Sequence, residues 1–201
     1  MTREAVILVH GHGAHPVLLE PLRRALERQG YRAINWRYRS LRGSIELHAT
    51  ELAAKAKELD EDPNIERLHF VGHSMGAIVV RRALAIARPR KLGRVVLLAP
   101  PNRGARLADF AVRLFGRRLI AARELCSHPQ SYVNRLAPAA DLDCGVIAAS
   151  WDHVVALDST HLPGERDHLV LRSLHTLPLH RRAPAQVAHF LREGRFLRET
   201  R

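Results

Sequence analysis

A chain of 201 residues, 46% hydrophobic and 26% charged, is long enough to bury one real core, and a single domain over 1–201 is expected. Its longest apolar runs, such as Val95-Val96-Leu97-Leu98-Ala99, fall far short of a bilayer, and the chain enters its first strand without a cationic leader, so the cytoplasm is the expected location. The formal charge of +12 is nearly all arginine, yet the arginines are dispersed and no nucleic-acid motif accompanies them. Nucleic acid is therefore not expected as a partner; a weak contact with an anionic membrane surface is. Cys126 and Cys144 lack metal-type spacing and read as a reduced pair.

In chain order, Val6-Ile7-Leu8-Val9 is a continuous apolar strand ending at His10-Gly11-His12-Gly13. Residues 17–28 place Leu18, Leu19, Leu22, Ala25 and Leu26 on one helical face, and Gly30 stops that helix. A strand over 31–36 leads into an arginine-rich loop, 37–42, after which Ser44 can cap a helix reaching about Asp60. The strand Leu68-His69-Phe70-Val71 runs without a gap through Gly72-His73-Ser74-Met75-Gly76 into a helix over 77–87. A further strand over 94–99 follows. The stretch 101–142 breaks the alternation. Its apolar stripe of Leu107, Phe110, Ala111, Leu114 and Phe115 fits either a cap beside a site or a packed crossover helix. Strands over 145–149 and 168–173 and a last helix over 184–194 complete the chain.

The G-x-S-x-G pentapeptide carries the chemistry. A serine on a very tight strand-to-helix turn is held at strained dihedrals, so the residues two before and two after it must lack a Cβ. Gly72 and Gly76 occupy those places, and the Met75 amide then sits at the positive end of the following helix, where it can receive an oxyanion. The motif alone is weak; its placement between a strand and a helix strengthens it.

Strands alternating with helices predict a mostly parallel sheet of about six strands with helices on both faces, a three-layer α/β sandwich with a short helical cap. Sites in such sheets gather at the carboxyl ends of the strands, and His12, Ser74, Asp152 and His175 all follow a strand. Asp158 and Asp167 compete with Asp152 for the role of acid, and His153, His161 and His168 with His175 for the base. Asp152 is preferred because it immediately follows the apolar strand over 145–149, and His175 because it follows the last strand. The cluster His10, His12 and His15 has no carboxylate or cysteine at ligand spacing, so no metal is expected there.

LVHGHG at the first strand end, GHSMG at the elbow, APPNRG after the next strand, Asp152-x-x-Val155 and DHLVLRSLHT together resemble the α/β-hydrolase superfamily, especially its compact bacterial lipase/esterase-like members. The resemblance covers nearly the whole chain. It implies the α/β-hydrolase fold, a cap segment over 101–142, and a serine esterase or lipase cleaving a small acyl ester through Ser74, His175 and Asp152. It also implies an oxyanion hole from the amides of His12 and Met75, with Gly11, Gly13, Gly72 and Gly76 as loop and elbow glycines, and neither cofactor nor metal. Thioesterase, amidase and acyltransferase activities use the same constellation, and a binding module without turnover is the alternative from another class.

Overall fold

The computed structural model describes residues 3–115, 120–137 and 141–198. Six strands, β1 (Glu4–Val9), β2 (Arg32–Trp36), β3 (Arg67–His73), β4 (Leu92–Leu98), β5 (Cys144–Ala149) and β6 (Asp167–Leu171), form one sheet in the order β2-β1-β3-β4-β5-β6. Every neighbouring pair is parallel. Parallel pairing requires a crossover between strands, and the helices supply it: α1 (Glu20–Arg28), α2 (Ile45–Glu61), α3 (Met75–Ile86) and α6 (Ala183–Glu193), with α4 (Arg106–Phe115) and α5 (Ile120–Leu125) between β4 and β5.

Because side chains alternate along a strand, the continuous apolar run of β1 serves two cores. Ala5, Ile7 and Val9 pack with α2 and α3 residues such as Leu52, Ala56, Ile78 and Val79, while Val6 and Leu8 pack with Leu22, Leu26, Val187 and Leu191 from α1 and α6. This is the three-layer sandwich that the alternation predicts. The sheet order also has one reversal point: from β1 the chain moves outward to β2, then returns past β1 to β3 and proceeds in the other direction. The crevice at that reversal lies at the carboxyl ends of β1 and β3, where open α/β sheets bind their ligands.

Two local expectations change. The single helix expected over 17–28 is a 3-10 turn, Pro16–Leu19, followed by α1. Pro21 has no amide hydrogen to donate back into a preceding turn, so it starts a helix instead of continuing one, and Val17 is left exposed. The last strand is also shorter than expected, ending at Leu171, so His175 stands on a loop. Ser44 does cap α2, its hydroxyl accepting from the Leu47 amide at 3.2 Å, and Gly194 closes α6 in the left-handed conformation at φ 71. Cys126 and Cys144 are both free and buried, and burial pushes the Cys144 thiol up to about 12. Among the described residues no helix is long and apolar enough to cross a membrane.

Gly145 on β5 tests how tightly α6 sits on the sheet. A Cβ there would lie 2.4 Å from a ring carbon of Phe190, which is fully buried and packed at a tilt against Phe196. Gly145→Ala is expected to lower stability by about 1–3 kcal/mol through overpacking. An unchanged denaturant midpoint would show that α6 can shift outward freely.

Candidate active site

The elbow is built as its glycines require. Ser74 sits at φ 53 and ψ −125, between the last residue of β3 and the first of α3. A Cβ on Gly72 would stand 2.5 Å from the Ala77 Cα, and one on Gly76 would stand 2.3 Å from the Val9 carbonyl oxygen, so the turn closes only over bare backbone. The Ser74 amide continues the sheet by donating to the Leu98 carbonyl at 2.9 Å. Gly11, at the end of β1, approaches from the other side; its Cβ would lie 2.9 Å from the Ser74 Cβ.

Ser74, His175 and Asp152 form one hydrogen-bonded line. Ser74 Oγ is 2.9 Å from His175 Nε2, and His175 Nδ1 is 2.7 Å from Asp152 Oδ2. The other carboxylate oxygen of Asp152 accepts the amides of Val154 at 2.8 Å and Val155 at 2.9 Å. Burial works against ionisation of Asp152, but the hydrogen bonds from His175 and the two amides outweigh it and hold the carboxyl below its ordinary range. The loops carrying acid and imidazole are tied together by backbone bonds from Ser150 to the Leu171 carbonyl and from Trp151 to the Ser173 carbonyl. The relative position of Asp152 and His175 is thus set by the ends of two paired strands.

The competing residues lie elsewhere. Asp167 accepts the Phe196 amide at 2.7 Å and pairs with Arg198, His161 and His168 gather around Glu165, and Asp158 and His153 are exposed. The side chains of His10, His12 and His15 take separate partners: His15 accepts the Val17 amide, His12 Nδ1 faces the Ser40 carbonyl, and His10 is buried beneath the loop.

Three residues that shape the site carry no local signal in the sequence. Ser40 holds the loop after β1 from two sides, its carbonyl 2.7 Å from His12 Nδ1 and its hydroxyl accepting the Gly13 amide at 3.1 Å. Tyr38 stacks on His10 at 4.4 Å and donates to the His10 carbonyl at 2.6 Å. His73 donates from Nε2 to the backbone carbonyl of His175 at 2.8 Å, which fixes the loop bearing the imidazole. The amides of His12 and Met75 have no acceptor among the described residues. Both amides are thus left to donate elsewhere, Met75 directly after the serine and His12 on the cleft that Ser74 also lines.

A cleft of about 530 Å³ opens over Ser74 and His175, with His12, Leu41, Pro101, Leu107, Ala108, Ala111, Ile120, Leu125 and Val154 among its lining. Its wall is α4 and α5. These are fastened by Asp109, which accepts the Ser127 amide and hydroxyl, and by Gly104, whose φ of 104 brings it against the Ser127 backbone. Leu107, Ala108 and Ala111 line the cleft, whereas Phe110 and Leu114 are 61% and 62% exposed, so the stripe divides between the cleft and the outer surface. The Phe115 side chain and residues 116–119 and 138–140 of the 101–142 segment lie outside the described residues. A separate cavity of about 390 Å³ beside Arg81, Arg88 and Asp141 is lined by none of the expected site residues.

The model of the alpha/beta hydrolase family matches residues 6–197. The chain belongs to the alpha/beta hydrolase family. Among solved structures it is similar in fold to a Bacillus licheniformis lipase in mature form, with 16% identity, a TM-score of 0.65, and coverage of 86% of this chain and 84% of that one. A Pyrococcus furiosus esterase gives 19% identity, a TM-score of 0.69 and coverage of 95% and 83%. Aspergillus fumigatus lipase B gives 12% identity and a TM-score of 0.75 over 94% of this chain, which spans only 52% of that longer protein. No curated protein sequence matches. The hydrolase reading rests on family and fold together.

His73 makes folding sensitive to acid. Burial, reinforced by the neighbouring His175, lowers its pKa from 6.5 to about 3, so the folded state keeps it neutral. Below pH 6.5 the unfolded chain takes up a proton that the folded chain refuses; the stability is complete above 6.5 and is lost progressively as pH falls towards 3. One such group steepens the loss by at most about 1.4 kcal/mol per pH unit. Between pH 6.5 and 5, above the carboxylate range, His73→Asn is expected to show a shallower decline of unfolding free energy than the wild type. Parallel slopes would mean that His73 titrates normally.

Proposed function

We propose that this chain is a serine hydrolase of carboxylic esters, acting through Ser74, His175 and Asp152. The observation that carries the reading is the unbroken line from Ser74 Oγ through both imidazole nitrogens to a buried carboxylate. His175 Nε2 takes the serine proton as Oγ forms a bond to the acyl carbon, and Asp152 holds Nδ1 protonated and offsets the charge of the imidazolium. The amides of His12 and Met75 receive the oxyanion. Collapse of the tetrahedral species expels the alcohol, which takes the proton from Nε2; water then repeats the sequence on the acyl-enzyme and releases the carboxylic acid.

An apolar acyl group is favoured by the lining of Leu107, Ala108, Ala111, Ile120 and Leu125. The outward Phe110 and Leu114, with exposed Arg106 and Arg113 on the same helix, support use at an anionic lipid surface.

Ser74→Ala is expected to fold normally, to lose labelling by a fluorophosphonate, and to lose turnover of short nitrophenyl esters on the order of a millionfold, as in serine proteases. Asp152→Asn should cost about ten-thousandfold and His175→Gln at least as much, at matched folded fraction. Turnover by Ser74→Ala near that of the wild type removes the mechanism. For the surface, Phe110→Ser should reduce hydrolysis of emulsified long-chain esters in anionic vesicles more than hydrolysis of soluble ones. Equal reduction would assign Phe110 to the packing of α4.

A further inference from the structure

Between Asp152 and β6 the chain makes a turn that brings His161, Glu165 and His168 together, away from Ser74 and unused by its chemistry. His161 Nδ1 is 2.8 Å from Glu165 Oε1, His168 Nδ1 is 2.9 Å from the same oxygen, and the two ring nitrogens are 2.9 Å from each other. No arrangement of protons on two neutral rings leaves this triangle without a close polar conflict. If both nitrogens donate to the carboxylate, two N–H dipoles stand side by side; if one donates to the other, the acceptor's lone pair faces a carboxylate lone pair.

The next shell selects between these. The Thr160 hydroxyl donates to the Leu157 carbonyl at 2.6 Å, so its oxygen is left to accept from His168 Nε2 at 3.4 Å. In a neutral ring that places the hydrogen on Nε2 and leaves Nδ1 bare, aimed at an anionic oxygen. Glu165 is fixed in turn, its second oxygen accepting the Leu162 amide at 3.0 Å. Metal-bound histidines are oriented in this way, with the distal nitrogen donating to a neighbour.

We propose that His161, Glu165 and His168 bind a divalent first-row transition ion such as zinc, nickel or cobalt through Nδ1, Oε1 and Nδ1. Ligand atoms on one face of an octahedron, with bonds of about 2.0–2.1 Å, are separated by about 2.9 Å, whereas a tetrahedral ion spaces them by about 3.4 Å. The observed edges of 2.8–2.9 Å, which are also hydrogen-bond lengths, match an octahedral face more closely than a tetrahedral one. Three further positions then fall to water, and the 49% exposure of the His161 side chain leaves them room. Two imidazoles and a single carboxylate disfavour magnesium and calcium, which prefer oxygen-rich shells. The ion would be a staple. The same turn docks on the loop after β4, with Asn102 donating to the Thr160 carbonyl at 2.7 Å and the Arg103 amide to the Ser159 carbonyl at 3.1 Å, and Pro101 of that loop lines the cleft.

The test uses the untagged full chain, freed of metal by a chelator and titrated calorimetrically with zinc, nickel, cobalt, magnesium and calcium in turn. The wild type is expected to bind one transition ion per chain at this site, with a rise in thermal midpoint and little response to magnesium or calcium. His168→Ala and Glu165→Gln should each weaken that binding at least tenfold and abolish the rise in midpoint, and Thr160→Val should weaken it about tenfold through the lost orientation of His168. Bound cobalt should give the weak visible absorption of a six-coordinate ion. Absence of binding by the wild type, or binding that survives His168→Ala and Glu165→Gln unchanged, overturns the proposal and leaves the triangle as two histidines hydrogen-bonded to Glu165. Fluorophosphonate labelling of Ser74, measured in parallel, reports on the hydrolase reading independently.

Discussion

Ser74 is held at a positive φ that a residue with a Cβ occupies only at a cost of about 1–3 kcal/mol, and the surrounding structure is arranged so that no other conformation fits. Its amide is committed to Leu98 on β4, its carbonyl accepts from Ala77 in the first turn of α3, and Gly72 and Gly76 pass against backbone too close for any side chain. The helix that follows is buried from Met75 through Val80, which anchors the turn from below through Ile78, Val79 and Val80. Burial of those three side chains, at about 1.5–3 kcal/mol each, comfortably exceeds the local strain. Ala99, at φ 45 just past β4, is a second residue in the left-handed region, so adjacent strands both leave the sheet through tight turns at this edge.

The other two members of the line are placed by backbone rather than by each other. Asp152 would keep its orientation without His175, because two amides in its own turn hold one carboxylate oxygen. His175 stands on an irregular loop four residues beyond β6, yet its main chain is fixed by His73, the residue directly before the serine. One strand end therefore governs the placing of both Ser74 and His175: Ser74 lines the cleft while His73, its neighbour, bonds the His175 carbonyl. Burial first, and then the neighbouring His175, keep His73 neutral in this arrangement.

What the sequence discloses here follows the range of the interactions. The elbow is legible because its requirement is local: a strand, two glycines at fixed offsets and a helix lie within twenty residues, and the steric reason for them needs no tertiary knowledge. The parallel sheet is legible because continuous apolar runs such as Val6 to Val9 are buried on both faces. The supports of the site are not, because they act across the chain. Nothing near Ser40 announces that it will hold His12 and Gly13 at a separation of 27 or 28 residues, and Tyr38 looks like a loop aromatic until it is seen stacked on His10. The division of the first helix at Pro21 was available from the sequence, since Pro21 follows Pro16 by little more than a turn. Apolar periodicity, which continues through Leu18 and Leu19, masked it. For α4 the periodicity found the stripe correctly but could not say which way it faces, because an amphipathic helix over a cleft and one on a core have the same pattern.

The positive charge follows a related logic. Much of the arginine is spent on local pairing: Arg23 with Glu20 and Glu27, Arg32 with Asp62, Arg82 bidentate on Glu46, and Arg94 with Asp143. Arg94 also donates to the carbonyls of Leu191 and Arg192, so a strand arginine satisfies the end of α6, where a helix presents acceptors and partial negative charge. A planar guanidinium spreads its donors over three nitrogens and so reaches a carboxylate and two carbonyls at once, where a lysine offers a single ammonium point, which gives arginine a structural use independent of any partner. The net charge of +12 is then what remains after pairing, carried by exposed residues such as Arg37, Arg39, Arg42, Arg106 and Arg113. All five belong to the two segments, after β2 and after β4, that contribute Leu41 and Leu107 to the cleft wall. Arg28, Arg172, Arg181 and Arg195 are exposed in other segments, so the surplus is spread over the surface, and only part of it lies beside the cleft wall and the exposed Phe110 and Leu114.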